Sequence, residues 1–141
     1  MKKPYQNLPC ENKAVKAGEK TVCKSRGLKL LPYPIRENLP VLGFQQSKGG
    51  QAKVIAKCFT GDGWRVWHIT EGSARRDTEN RAVDYLLYGL VEGQCRKLDY
   101  FWLSDLATLR SPTGLPVQRD SHWRPKLLQE IAPEMFQIDN K

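Results

Sequence analysis

The sequence contains no apolar run near the ~20 residues that a membrane-spanning helix needs. Its basic start, residues 1–3, runs on into polar residues where a signal peptide would place its apolar core. A cytoplasmic chain is the expectation. No two cysteines lie close together: Cys10, Cys23, Cys58 and Cys95 are scattered, and His68 and His122 are the only imidazoles. Zinc sites usually present two ligands a few residues apart, so neither a metal nor another cofactor is expected. A Cys10–Cys23 disulfide fits the chain geometry, but a reducing cytosol disfavours it. Also missing are a phosphate-cradling glycine loop, a metalloprotease motif, a nucleophile elbow and a zinc ribbon. The case for an enzyme therefore lacks its strong signatures. Repeats and low-complexity tracts are absent as well.

What is present is enough for one folded domain: 141 residues, 40% apolar and 27% charged. The net charge is +8, which attracts polyanions such as nucleic acid or an acidic protein surface. Most of it sits early. Residues 1–27 carry Lys2, Lys3, Lys13, Lys16, Lys20, Lys24 and Arg26 against Glu11 and Glu19, a balance of +5, which leaves +3 for the rest. Few large apolar residues occur there, and Pro4, Pro9 and Gly18 interrupt it, so 1–27 reads as a flexible basic arm and 28–141 as the domain. Lys13, Lys16, Lys20 and Lys24 are the arm's candidate electrostatic contacts; a solubilising tail is the plainer reading.

Within the domain, Pro32, Pro34 and Pro40 confine any early helix to about 35–38, packed through Ile35 and Leu39. Residues 53–60 alternate as a strand, and Gly61, Asp62 and Gly63 supply a tight turn into an aromatic strand over 64–70. Trp64, Val66 and His68 then share one face, and Arg65, Trp67 and Ile69 the other. The polar stretch 71–81 reads as a long loop, followed by strands over 83–91 and 98–102. Ser104 is the expected N-cap of a helix carrying Leu106 and Leu109, which Pro112 and Gly114 stop. After an extended stretch, Pro125 opens a last helix with Leu127, Leu128 and Ile131. The class is α+β: a small antiparallel β-sheet with two or three short helices packed on one face.

Two constellations carry candidate chemistry. Arg119, Asp120 and His122 in GLPVQRDSHWRP, with His68 and Glu71 as neighbours, form an acid-base or hydrolytic centre if they converge. Anchoring of a loop by ion pairs is the simpler role for such a run. The aromatics Trp64, Trp67, Tyr85, Tyr88, Tyr100, Phe101, Trp102 and Trp123 are interleaved with Arg65, Lys97 and Arg124. Core packing accounts for most of them, while a basic aromatic surface stacks unpaired bases. The candidate binding set is Arg65, Trp67, Lys97, Arg119, Trp123 and Arg124.

The ordered motifs KCFTGDGWRVWHITEG, YGLVEG, LDYFWLSDL and GLPVQRDSHWRP lie within a segment from about Leu28 to Ile131, some three quarters of the chain. In order and spacing they resemble the domain-of-unknown-function family numbered 2958, small bacterial proteins that look like accessory genes of plasmids, integrative elements and phages. The chain departs from that pattern twice. Lys97, Leu98 and Asp99 stand where an acidic-Leu-Gly run precedes Tyr-Phe, and Gln118 stands where Glu precedes Arg-Asp. If the family's acids at those places are catalytic, the resemblance implies that this chain lacks that activity. The leading expectation is thus a non-enzymatic binding protein of a mobile element, contacting nucleic acid or a host or element protein, as an anti-defence factor such as a CRISPR inhibitor would. The alternative is a hydrolytic or nucleic-acid-processing enzyme using Glu71, Asp120 and His122.

Overall fold

The computed structural model describes residues 29–136. The expected arm, with Lys13, Lys16, Lys20, Lys24, Cys10 and Cys23, lies outside the described residues. In chain order the elements are α1 (Tyr33–Glu37), β1 (Lys53–Val54), β2 (Ala56–Thr60), β3 (Val66–Arg76), β4 (Ala82–Glu92), β5 (Arg96–Trp102), α2 (Leu103–Thr108), β6 (Val117–Arg119), β7 (Lys126–Leu127) and α3 (Leu128–Ile131). Short 3-10 turns occupy Gln46–Gln51 and Pro133–Met135. β2 to β6 make a five-stranded sheet in the order β5-β4-β3-β2-β6, antiparallel throughout, and β1 pairs with β7 beside it.

Strand alternation sorts the apolar side chains into two clusters. Trp67, Ile69, Leu87 and Phe101 face one way and meet Leu103 and Leu106 of α2, with Ile35 of α1 packed alongside. Leu90 lies an odd number of residues from Leu87 and so faces the other way, where Val54, Leu128, Leu98, Trp123 and Ile131 gather. The expected α+β class holds. Helical cover is not confined to one face, because α3 closes the second cluster while α1 and α2 close the first.

The β2–β3 hairpin turns through Gly63, whose φ of 78° is the left-handed backbone a glycine adopts without steric cost. Asp62 braces this turn by accepting from the Trp64 N–H at 3.2 Å and the Thr113 hydroxyl at 2.6 Å. The Thr113 and Ser111 hydroxyls hold its carboxyl well below the usual carboxylate range.

The polar stretch expected to be a loop instead continues β3 to Arg76. A register shift between Ile69 and Glu71 lets Gly72 and Ala74 oppose Leu87 and Tyr85 on the first core face. Only a tight turn remains, with Asp77 Oδ1 accepting the N–H groups of Glu79 and Arg81 at 2.9 Å each. Composition hid this strand because its polar side chains point away from that core.

Smaller differences have similar causes. The expected first strand is broken at Ile55, so that Lys53 and Val54 pair with β7 and Ala56 onward pairs with β3. β7 thereby takes Lys126 and Leu127 out of the expected last helix. Ser104 lies inside α2 and is not its N-cap: Asp84 on β4 accepts from the Ser104 N–H at 3.1 Å and its hydroxyl at 2.6 Å, capping the helix from across the sheet. Among the described residues no helix is long and apolar enough to cross a membrane.

Candidate functional site

Glu71 is fully buried on β3. Its Oε1 accepts the Gly43 N–H and, at 3.2 Å, the Gln46 side-chain amide; its Oε2 accepts the Gln45 N–H at 2.8 Å. The Gln45 side chain donates to the carbonyls of Lys53 and Thr70 at 3.0 and 2.6 Å and accepts the Lys53 N–H at 2.7 Å. The carboxylate therefore pins residues 43–46 onto the sheet, with both of its oxygens engaged by that segment.

At the opposite end of β2 the chain builds an open, polar cleft. β6 pairs with β2, setting Arg119 against Cys58 and Gln118 against Phe59. The Asp120 N–H donates to the Lys57 carbonyl at 2.9 Å, and the chain then turns, with the Trp123 N–H on the Asp120 carbonyl and the His122 N–H on Asp120 Oδ1 at 3.0 Å. Lys57, Phe59, Gln118, Arg119, Asp120, Ser121 and His122 line a cleft of about 340 Å³. Ser121 and His122 are in marginal contact, hydroxyl to Nδ1 at 3.5 Å.

Trp123 ends the turn. Its indole N–H donates to the Val54 carbonyl at 3.0 Å, which fixes the ring against the second core cluster. The Lys57 and Lys126 ammonium groups stand 5.6 and 5.3 Å from the ring centroid, inside cation–π range. His68, 4% exposed, lies 6.0 Å from the ring, centroid to centroid. Its Nε2 meets Glu92 Oε1 at 3.0 Å, Glu92 Oε2 meets Arg96 at 3.0 Å, and Arg96 reaches Glu134 at 2.6 Å. Burial holds the His68 pKa below its ordinary value against the upward pull of Glu92.

Of the expected binding set, Arg119, Trp123 and Arg124 lie along this turn, Arg119 paired opposite Cys58 and Trp123 against the second cluster. Trp67 does not join them: at 3% exposure it belongs to the first core. Arg65 stacks on Trp64 at the hairpin, 4.1 Å from that ring, and Lys97 lies on β5, the edge strand opposite β6, 3.6 Å from Asp99. Nor do the three expected catalytic residues converge: Asp120 and His122 line the cleft, whereas Glu71 is bound to residues 43–46. Lys57 and Lys126 were missed. The signal for Lys57 was its place opposite the core-facing Ala56 and Cys58 in the alternation; Lys126 carried none, since its strand looked like helix. Cys58, buried beneath Arg119, has its thiol pushed up to about 12 by burial and stays protonated and inert.

The family model described as "Protein of unknown function (DUF2958)" matches residues 31–131. The chain belongs to the DUF2958 family. That match runs from Leu31, in the first core cluster, to Ile131 at the end of α3, so the DUF2958 region contains the Trp123 turn and its cleft. No curated protein and no solved structure matches the chain.

Proposed function

We propose that this DUF2958 protein is a binding protein that grips nucleic acid through the turn over residues 119–126, in the service of a plasmid, integrative element or phage, where an anti-defence role fits its size and charge. The observation that carries the reading is Trp123, fixed by Val54 and flanked by the Lys57 and Lys126 ammonium groups, with Arg119 and Arg124 on the same turn. Cations in this arrangement displace counterions from phosphates while the indole offers an aromatic face to a base. The hydrolytic alternative needs Glu71 beside Asp120 and His122, and the Glu71 acceptors are held elsewhere.

Fluorescence anisotropy with labelled oligonucleotides, from low to physiological salt, tests the reading. Neutralising Lys57, Arg119, Arg124 and Lys126 to Gln flattens the dependence of log affinity on log salt by about 0.7 to 0.9 for each phosphate that is no longer neutralised. A parallel variant neutralises Lys13, Lys16, Lys20 and Lys24. Weakening confined to that second variant overturns the assignment to the folded body, and absence of binding at low salt overturns nucleic acid as the partner.

A further inference from the structure

The cleft beside Trp123 is built differently from a plain phosphate groove. Lys57 and Arg119 line it, yet so does the Asp120 carboxylate, which makes no ion pair within 4 Å with any described cation. Its Oδ1 accepts the His122 N–H, while Oδ2 has no donor among the described residues. An unpaired carboxylate among cations weakens phosphate binding at that spot, so its chemistry there is to accept hydrogen bonds. Phe59, half-buried, supplies an apolar wall, and Gln118 a further amide. A volume of about 340 Å³ lies at the low end of the ~300–1,000 Å³ of small-ligand sites, room enough for a single base.

Resting on the nucleic-acid reading above, we propose that the cleft seats one unpaired base against Phe59, and that Asp120 selects bases bearing an exocyclic amino group. The neighbouring base stacks on Trp123, and Lys57 and Lys126 hold the phosphates between them. Cytosine offers its N4 amino group to a carboxylate, whereas thymine presents an O4 acceptor that a carboxylate repels. A duplex shows only the groove edges of its stacked bases, so a base whose flat face lies against Phe59 comes from an unpaired strand.

The test compares oligo-dC and oligo-dT of about 15 nucleotides, the upper end of single-strand site sizes, with a duplex of equal length, at neutral pH and fixed salt. Both single strands carry the same charge, so electrostatics alone cannot separate them. Oligo-dC binds about fivefold to tenfold more tightly than oligo-dT, and the duplex binds more weakly than either. Asp120→Asn keeps an acceptor for the His122 N–H and replaces Oδ2 with a donor, so it abolishes or reverses the dC preference without changing the salt slope. The same pair made as RNA identifies the sugar, and a cytosine preference in either supports the proposal. Equal affinity for dC and dT, equal affinity for duplex, or displacement of oligo-dC by polyglutamate at matched charge overturns it while leaving polyanion binding intact. If no oligonucleotide binds at low salt, the broader reading fails with it.

Discussion

Glu71 accepts the backbone N–H of Gln45 at 2.8 Å from a fully buried position on β3, and the Gly43 N–H lies on its other oxygen. A carboxylate used this way is a fastener. Glu71→Gln presents a donor where N–H groups already point, leaving buried donors unsatisfied at a cost of roughly 1–3 kcal/mol each. Urea unfolding will show a lower midpoint for Glu71→Gln, with faster amide exchange over residues 43–46. If stability stays unchanged, the carboxylate is not the anchor of this segment.

The two tryptophans of the hairpin separate cleanly. Trp67 packs in the first core, and Trp67→Ala costs about 3–5 kcal/mol, as large-to-small core substitutions do. Trp64, part-buried and stacked on Arg65, belongs to neither cluster, and Trp64→Ala costs less than Trp67→Ala because it opens no cavity in either core. Trp64 is thus one of the aromatics that core packing does not account for: it precedes Val66, where the strand and its alternation begin. Chemical denaturation of both variants checks the ordering, and a larger loss for Trp64→Ala would reverse it.

Glycines 63 and 89 make opposite demands. At Gly63 an added Cβ meets nothing within 4 Å, so Gly63→Ala costs only the left-handed backbone, about 1–2 kcal/mol. At Gly89 the Cβ would fall 1.9 Å from the His68 carbonyl oxygen, where β3 and β4 are in register. Gly89→Ala therefore exceeds the ~1–3 kcal/mol of ordinary overpacking. Thermal unfolding of the pair decides between strain and collision; equal losses would refute the distinction.

How much of this was legible follows from what local pattern encodes. The hairpin at Gly63 and the strand faces of Trp67 and His68 were readable because alternation and turn chemistry are local. The second half of β3 was not, since Gly72 and Ala74 are apolar only by virtue of the Leu87 and Tyr85 they oppose. The role of Glu71 was equally hidden: its partners lie more than 20 residues away along the chain, and an Asp-His-Glu grouping reads the same whether the Glu faces a cleft or a loop. In the cleft, Arg119, Asp120, His122 and Trp123 were visible as one run, whereas Lys57 and Lys126 joined them only through strand pairing.

His68 makes stability depend on pH near neutrality. With Nε2 donating to Glu92, Nδ1 is a buried acceptor without a partner, and burial lowers the pKa from 6.5. Lys57 and Arg96 push in the same direction, and only the Glu92 carboxylate opposes them. In the unfolded chain the imidazole protonates as pH falls through about 6.5, while in the folded protein it stays neutral to a lower pH. The unfolded state thus binds more protons across that window. Stability is full above pH 6.5 and falls as the pH drops, by up to about 1.4 kcal/mol per pH unit, until the folded histidine also protonates. Asp77 and Glu134 have lowered pKa values, so their losses begin only as the pH falls toward the ordinary carboxylate range. Urea midpoints measured between pH 5 and 7.5 should decline for the wild-type chain and remain flat for His68→Gln, which cannot titrate. A wild-type midpoint that rises on acidification would mean that Glu92 outweighs burial, with the His68–Glu92 contact acting as a charged pair.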